Sequence, residues 1–278
     1  MPRIQRLALL AIGCAWATSA LAAPPQTAQP ASAPGAASGE SVGSRIWVGR
    51  YEAFEEFLRT ADIERTTDVS IGVLGIRRAY FKPDGLTASA ALRSTRPGKY
   101  NGFWESYKGD IAAYRLDRLL QLDMVPPAVE RRYDAVLVSV QVWSEDTRML
   151  KEIQAQNLRP SNLEPYNFQL RRQKVFQNLV GNPDPNQGNI LFDPAWNIIL
   201  IDFSRAFTNT QKLTFGATAI DREFFDRIKA LDRDTLRREI GDFVEPTAVD
   251  ALLGRRDGIV KEFEKLAKQK GASQVILP

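Results

Sequence analysis

Apolar residues recur along this chain at helical spacing in some segments and at alternating spacing in others. Residues 51–60 place apolar side chains three and four positions apart with glutamates between them, which predicts a helix. Short apolar runs broken by glycine and proline follow at 69–75, 78–81 and 88–93. Such runs predict the strands of an antiparallel, β-rich region.

Helical spacing returns in residues 102–122, whose apolar members include Ile111, Tyr114, Leu116, Leu119 and Leu120. We predict a helix there, ending before the sequence D-M-V-P-P. Residues 135–143 alternate and are rich in valine, which predicts a strand. Residues 167–180 predict another helix, and amphipathic helix fills the rest of the chain, with the charged residues 255–257 at the start of one helix.

A hairpin carrying polar side chains at its ends is predicted between the last two regions. Ile190–Phe192 and residues 198–201 are apolar and are separated by turn-forming residues, so they pair as antiparallel strands. Asn189 enters the first strand and Asp202 leaves the second, which puts an amide oxygen beside a carboxylate. Asp184 lies on the loop just before them. These oxygen ligands are the kind that Mg²⁺ prefers.

The loop N-P-D-P-N-Q-G-N at 182–189 has a simpler interpretation as well. Asn, Asp, Pro and Gly are the residues that turns select, so the segment is also explained as a turn-rich loop without chemistry. We favour a site because the spacing of Asp184 and Asn189 coincides with the hairpin that follows.

The composition narrows the chemistry that such a site can perform. The chain has 278 residues, 44% of them hydrophobic, which suits one two-lobed unit or two small domains. It has 37 Lys and Arg against 33 Asp and Glu, and two of the arginines lie in the first six residues, so the remainder gives no indication of a nucleic-acid partner. Histidine is absent from the sequence, which excludes Ser-His and Cys-His nucleophilic mechanisms and histidine-ligated zinc. Carboxylate and Mg²⁺ chemistry is left.

The N-terminus has the pattern of a secretory signal peptide. Residues 1–22 combine a basic start, an apolar run at 7–17 and an A-x-A cleavage pattern. The run is short for a membrane span, so we expect cleavage after Ala22 and an exported, periplasmic or secreted chain with no stable membrane span. A retained anchor, or a lipoprotein formed at Cys14, is the less favoured alternative. Cys14 is the single cysteine, so the mature chain would have no disulfide.

Residues 23–45 are rich in Ala, Pro, Ser, Gly and Gln and carry almost no apolar bulk. Such a segment cannot bury enough surface to offset its ordering entropy. We predict a disordered linker there and a folded part that begins near Ile46.

The order of Asp184, Asn189 and Asp202 resembles a known catalytic arrangement. An Asp, an Asn five positions later and then a hairpin ending in Asp-Phe resembles the D-x-x-x-x-N loop and D-F-G motif of the protein-kinase-like fold. The sequence is more similar to the atypical branch, which includes lipid-kinase-like proteins, the secretory-pathway kinases of the Golgi casein kinase family and their bacterial relatives. Pro183 and Ser204 replace the arginine and glycine of ordinary kinases, and neither change removes a ligand.

The resemblance extends to the run S-Y-K-G-D-I-A-A-Y-R-L-D-R-L-L-Q-L-D-M-V-P-P-A-V-E-R-R, in which Asp110 stands where the relatives have a glutamate. The nucleotide-binding lysine corresponds to Arg93 in the preceding strand, A-S-A-A-L-R-S. Arginine is not a simple replacement, because its planar fork binds phosphate in a different geometry from an ammonium. Lys82 is a rival for the lysine role, but K-P-D-G favours a turn. The glycines of G-V-L-G at 72–75 could cover phosphates, although a turn or bulge is the favoured interpretation.

The fold that this resemblance implies is α+β and two-lobed, with a small β-rich N-lobe at 46–143 and a mostly helical C-lobe at 144–278. Residues 135–143 would lead into the hinge, and a purine would lie against them. The cofactors implied are Mg²⁺ or Mn²⁺ with ATP or another nucleoside triphosphate.

The resemblance also implies a role for each site residue. Arg93 and Asp110 would bind the nucleotide, Asn189 and Asp202 the metal, and Asp184 would be the catalytic base. The chain would then be an exported phosphotransferase whose hydroxyl acceptor is a protein, a sugar or a small molecule. The alternative is a kinase-shaped pseudoenzyme that binds a ligand or protein partner without transfer. The replacements at Arg93 and Asp110 favour that alternative, as does export to a compartment that, in a bacterium, offers little ATP. The intact Asp184, Asn189 and Asp202 favour the enzyme.

Overall fold

The computed structural model describes residues 45–69, 76–183, 186–214 and 216–278. The predicted signal peptide, nearly all of the predicted linker, the G-V-L-G segment and Asp184 therefore lie outside the described residues.

The described strands are β1 (Arg65–Asp68), β2 (Ile76–Tyr80), β3 (Ser89–Arg93), β4 (Gly98–Tyr100), β5 (Phe103–Glu105), β6 (Ala128–Tyr133), β7 (Val136–Val142), β8 (Arg148–Met149), β9 (Ile190–Phe192), β10 (Ile198–Leu200), β11 (Ile220–Asp221) and β12 (Ile276–Leu277). The described helices are α1 (Tyr51–Thr60), α2 (Lys108–Leu120), α3 (Leu150–Ala155), α4 (Leu163–Leu179), α5 (Arg222–Ala230), α6 (Arg233–Ile240), α7 (Pro246–Lys270) and α8 (Ala272–Val275). A single 3-10 turn, Gln187–Asn189, precedes β9.

The N-terminal part is built on a five-stranded antiparallel sheet in the order β1-β2-β3-β7-β6. Helices α1 and α2 both contact strands β6 and β7. The apolar stripe of α1 buries Phe54 and Leu58, as its spacing predicts. The buried core of this part consists of Trp47, Phe54, Leu58, Ala79, Phe81, Ala90, Leu92, Val129, Val138, Val140, Val142, Leu191 and Ile199.

The C-terminal part is mostly helical and has its own core. Helix α7 packs against α4, α5 and α6, and Phe224, Ile228, Leu236 and Leu252 are fully buried there. Helices α4, α5 and α6 are capped by polar side chains. Asn162, Asp221 and Asp232 accept hydrogen bonds from the first-turn amides of these helices.

A small sheet with strand order β10-β9-β8 joins the helical part. Strands β9 and β10 form the predicted hairpin, with Ile190 paired to Leu200 and Phe192 paired to Ile198. All six side chains of these two strands are buried, which explains why their sequence is a continuous apolar run. The predicted α+β, two-lobed fold is confirmed, whereas the lobe limits at 46–143 and 144–278 remain predictions.

Two segments differ from their predictions. The helix predicted over 102–122 begins only at Lys108, because Phe103–Glu105 pairs with Gly98–Tyr100 as a short antiparallel hairpin. Residues 255–257 do not start a helix, since α7 already begins at Pro246. Proline at the first helical position leaves no amide hydrogen bond to satisfy, and it is a better helix start than a charged triplet.

Among the described residues, none of the helices combines the length and the apolar character that a bilayer crossing requires.

Candidate active site

A cleft of about 440 Å³ lies between the N-terminal sheet and the β9–β10 hairpin. Its apolar lining includes Ala91, Val142, Met149, Leu191 and Ile201. Its polar lining includes Arg93, Asp110, Asn189 and Asp202, which are all of the predicted nucleotide- and metal-binding residues. The strand that was predicted to meet a purine contributes Gln141 and Val142 to the wall.

Arg93 lies at the end of β3 and is almost completely buried, with 4% of its surface exposed. Its Nε donates to Oδ2 of Asp110 at 2.8 Å, and its Nη2 donates to Oδ1 of Asp202 at 2.8 Å. The remaining nitrogen, Nη1, is buried and has no hydrogen-bond partner among the described residues. Arg93 therefore connects the two carboxylates and retains one unsatisfied donor.

Asp110 stands in the first turn of α2 and is tied to three different elements. Besides Arg93 of β3, it accepts a hydrogen bond at 2.8 Å from the amide of Phe203, directly after Asp202. The hydroxyl of Ser139 in β7 lies 3.4 Å from its Oδ2. The carboxylate thereby fixes the position of α2 relative to both the sheet and the loop that carries Asp202.

Asn189 and Asp202 meet at one end of the β9–β10 hairpin. The amide of Ile201 donates to the main-chain oxygen of Asn189 at 3.1 Å, so the two candidate metal ligands lie on adjacent chain segments. Oδ1 of Asp202 also accepts from the hydroxyl of Ser204 at 2.8 Å. The backbone of Asp202 is left-handed, with φ at 59°. Asp tolerates this conformation better than most residues do, because its short side chain bonds locally.

The electrostatics of the cleft depend on Arg93 and its two carboxylates. Burial of the Arg93 guanidinium lowers its pKa, but the negative charges of Asp110 and Asp202 outweigh burial and raise the pKa above its ordinary value. Arg93 is therefore permanently charged. Within this cluster, two carboxylates and one guanidinium leave one formal negative charge in excess. Lys151, Arg205 and Glu152 also line the cleft, so its described lining as a whole has three cations and three carboxylates.

A second ion pair lies at the edge of the cleft and was missed by sequence reasoning. Nε and Nη2 of Arg205 both contact Oε1 of the buried Glu105, at 2.9 and 2.8 Å. The amide of Ser106 donates to the main-chain oxygen of Ser204 at 2.9 Å. These contacts attach the β4–β5 hairpin to the loop after Asp202. Glu105 was assigned to a helix in the sequence analysis, so the pairing had no local signal.

Lys82 does not compete with Arg93 for the cleft. It follows β2 in a turn, its Nζ lies 3.7 Å from the exposed carboxylate of Asp62, and 61% of its side chain is exposed. Gly85 donates back to the main-chain oxygen of Lys82, as expected for a turn.

The residues present fit a metal and a phosphate group. Within the described ranges, no three His, Cys, Asp or Glu side chains converge as a metal site. The predicted ligands are instead one amide and one carboxylate, Asn189 and Asp202, and both line the same cleft. Buried donors without a partner are costly, and a phosphate oxygen would satisfy Nη1 of Arg93 after the side chains that cover it move aside.

The described fold is an atypical protein-kinase-like fold. The chain is similar to the Golgi casein kinase at 14% identity and a TM-score of 0.61, over 81% of this chain and 79% of that one. A structure of the Golgi casein kinase with Mn/ADP bound gives 14% identity and a TM-score of 0.60, over 81% and 78%. The structure of hydra Fam20 with sugar gives 13% identity and a TM-score of 0.63, over 82% and 90%. No family model and no curated protein matches the sequence.

Proposed function

We propose that the cleft binds a nucleoside triphosphate with Mg²⁺ or Mn²⁺ and transfers its terminal phosphoryl group to a hydroxyl acceptor. The observation that carries this proposal is that Arg93, Asp110, Asn189 and Asp202 all line one cleft. The similar Golgi casein kinase with Mn/ADP bound supports the choice of ligand. The acceptor is a protein, a sugar or a small molecule.

Each residue has a separate role in this proposal. Asn189 and Asp202 would hold the metal, which when bound neutralises charge on the phosphates. Arg93 would donate from Nη1 to a phosphate oxygen, and Asp110 would keep Arg93 in place. Asp184 would take the proton of the acceptor hydroxyl while the oxygen of that hydroxyl attacks the terminal phosphorus. The bond from that phosphorus to the bridging oxygen breaks, and a nucleoside diphosphate leaves.

A pseudoenzyme is the second candidate, and one contact favours it. The guanidinium of Arg93 is bonded directly to Asp202, the predicted metal ligand, as well as to Asp110. An arginine held by two carboxylates keeps its charge and its planar geometry, so it adapts less to a moving phosphate than a lysine does. In this case the cleft binds a nucleotide or a partner without transfer.

The proposal also includes export and the lobe limits, 46–143 for the N-lobe and 144–278 for the C-lobe. We propose that residues 1–22 are removed as a signal peptide and that residues 23–45 link the leader to the folded lobes. The mature chain would work outside the cytoplasm and would need a nucleotide supply there.

The Asp202→Asn variant tests the proposed metal site. Asn keeps the shape of the side chain and tolerates the left-handed backbone, but it lacks the charge that a metal requires. We expect wild type to bind ATP more tightly with Mn²⁺ or Mg²⁺ than in EDTA, and Asp202→Asn to lose that increase. Isothermal titration calorimetry measures both affinities. ADP release, measured separately, distinguishes transfer or hydrolysis from binding alone.

The matched control is Asp193→Asn at the opposite end of the same hairpin. Asp193 is buried and accepts hydrogen bonds from the amide and side chain of Asn197 at 2.8 and 3.0 Å. Its replacement should lower stability and leave the metal effect unchanged. Equal ATP affinity in wild type and Asp202→Asn, with and without metal, would show that this cleft is not a metal–nucleotide site.

A further inference from the structure

Arg255 is a fully buried cation in the middle of α7, with none of its surface exposed. Its Nε donates to the main-chain oxygen of Leu179 at 2.9 Å, and its Nη1 donates to the main-chain oxygen of Thr208 at 2.9 Å and to that of Thr210. Burial lowers the pKa of Arg255 to about 10, so the side chain is still charged at neutral pH. It is solvated by carbonyl oxygens instead of a carboxylate.

The carbonyls that Arg255 binds belong to the chain segments that come before and after the candidate site residues Asn189 and Asp202. Leu179 ends α4, which delivers the chain to the loop of Asp184 and Asn189. Thr208 and Thr210 belong to the segment that follows Asp202. Arg255 therefore bonds simultaneously to the start of the candidate catalytic loop and to the continuation of the candidate metal loop.

Other contacts join the same two segments beside Arg255. The amide of Phe207 donates to the main-chain oxygen of Val180 at 2.7 Å, and the hydroxyl of Thr208 donates to that of Gly181 at 3.0 Å. Gly181 has a left-handed backbone, with φ at 61°, and a Cβ there would lie 2.6 Å from Cζ of Arg255. The guanidinium thus lies directly against the first turn of the loop, at a position that only glycine leaves open.

Burial of the Arg255 guanidinium costs desolvation free energy that a purely structural position would not require. It occupies the apolar face of α7, between the buried residues Leu252 and Ile259, where an apolar side chain would pack without losing hydration. The carbonyl end of α4 carries partial negative charge, which offsets part of the cost. Its Nη2 is still buried without a partner among the described residues. This desolvation cost is explained if the arrangement of the two chain segments that Arg255 bonds has a function.

We propose that Arg255 is a positioning residue for the metal site. The strand pairing of the hairpin holds Asn189 beside Asp202, and Arg255, by bridging the end of α4 and the segment after Asp202, fixes where the loop that leads to Asn189 begins relative to the chain that leaves Asp202. This inference rests on the proposed function of the cleft. Arg255 touches neither metal nor nucleotide, and it acts through the main-chain positions of the loops.

The test uses Arg255→Lys and Arg255→Met with Mn²⁺ titrated at a fixed ATP concentration. Lysine keeps the charge but lacks the fork that reaches both segments, and methionine keeps only the apolar stem. Removing a group that orients metal ligands typically weakens metal affinity about 10- to 100-fold. We expect the half-saturating Mn²⁺ concentration to rise by that factor in Arg255→Lys and further in Arg255→Met, while ATP affinity in EDTA stays the same.

Arg172→Lys is the matched control for loss of a buried arginine. Arg172 of α4 donates from Nε and Nη2 to Asp221 at 2.9 and 2.6 Å, at a place where no candidate ligand lies. A variant with a purely structural defect should lower the melting temperature and leave the Mn²⁺ requirement of the folded protein unchanged. Arg172→Lys is expected to behave in this way, whereas the Arg255 variants should change both.

The outcomes separate this inference from the function on which it rests. If folded Arg255→Lys and Arg255→Met need the same Mn²⁺ concentration as wild type, Arg255 is structural and the inference is wrong, while the proposed function stands. If wild type itself binds ATP without any metal effect, the proposed function fails and the inference falls with it. Should Arg255→Met not fold, Arg255→Lys and Gly181→Ala decide, because the added Cβ displaces the guanidinium without removing it.

Discussion

Arg93 combines two tasks that are in conflict. As the only cation that bridges Asp110 and Asp202 among the described residues, it lowers the repulsion between the buried carboxylate of Asp110 and the partly exposed carboxylate of Asp202. As the candidate phosphate ligand, it has to offer Nη1 to a nucleotide without releasing either partner. A lysine has one ammonium group instead of a planar guanidinium, and that ammonium can turn from a carboxylate to a phosphate. The arginine therefore makes the empty cleft more rigid.

The double variant Arg93→Lys with Asp110→Glu tests whether this rigidity limits transfer. The longer acid should meet the shorter cation and leave the ammonium free to follow the phosphate. We expect metal-dependent ATP turnover, measured as ADP release with water as acceptor, to rise about tenfold, which corresponds to about 1.4 kcal/mol of barrier. The single variant Arg93→Lys serves as control and should not gain activity. A double variant no faster than wild type would place the limit elsewhere.

The four residues that the sequence motif singled out, Arg93, Asp110, Asn189 and Asp202, line one cleft, and their roles remain predictions. Arg255 was interpreted wrongly as part of a charged helix start. A signal existed, since residues 252, 255, 259 and 263 follow helical spacing and the other three are apolar. Charged residues are seldom fully buried, so a charged helix start was the favoured interpretation of Arg255.

At the scale of elements, α4 is held to α5 and β11 by one buried ion pair. Arg172 of α4 bonds bidentately to Asp221, which also caps α5 through the amide of Phe224 at 3.0 Å. Burial raises the pKa of Asp221, but the bonds from Arg172 and Phe224 outweigh it and lower the pKa below its ordinary value of 3.8. Because the folded state favours the ionised form, the pair stabilises the fold above that value, and its contribution is lost as the pH falls through the lowered pKa.

Asp221→Asn should reveal this dependence. Asn still caps α5, but it removes the buried counter-charge of Arg172 and leaves only the largely exposed Glu223, 3.4 Å away. Breaking a buried ion pair typically costs about 3–5 kcal/mol at neutral pH, and the remaining contact with Glu223 reduces that cost. We expect the difference in unfolding free energy between wild type and variant, measured in urea at a series of pH values, to shrink below about pH 4. Asp232→Asn is the control, because Asp232 caps α6 through the amide of Thr235 at 2.7 Å on the exposed surface. An undiminished difference at pH 3 would contradict the assignment.

The elements that sequence patterns predicted well are the ones whose neighbours agree with their periodicity. Helix α1 has the predicted limits, and β9 and β10 pair as predicted. The β4–β5 hairpin was missed because strands of three residues are too short for an alternating pattern to emerge. Its side chains Phe103 and Trp104 are about half exposed, so burial gave no pattern either. Contacts distant in sequence, such as Arg205 with Glu105, hold it in place.

In the whole molecule, α2 and the loop of Asp202 are in close contact. A Cβ on Gly109 would lie 2.2 Å from the main-chain oxygen of Phe203. Because that oxygen belongs to the backbone, a change of side-chain rotamer cannot relieve the contact. Glycine at 109 is therefore what lets Asp110 reach the amide of Phe203.

Gly109→Ala should separate the lobes at this contact. Overpacking costs about 1–3 kcal/mol, more than the roughly 1 kcal/mol that alanine gains over glycine in a helix. We expect a lower melting temperature and a weaker metal-dependent ATP affinity, since α2 carries Asp110 away from the loop. Gly216→Ala is the control, because a Cβ there meets nothing within 4 Å. If Gly109→Ala keeps both properties of wild type, the close contact does not set the geometry of the cleft.

The left-handed backbone at Asp202 also affects how this position can drift in evolution. Only Gly, Asn and Asp adopt such a conformation at low cost. A homologue without phosphoryl transfer would therefore still be selected, through its stability, to keep one of these three residues. Aspartate at this position alone is thus a weak sign of activity among divergent homologues, and a change to asparagine or glycine would be the informative sign that metal binding had been abandoned.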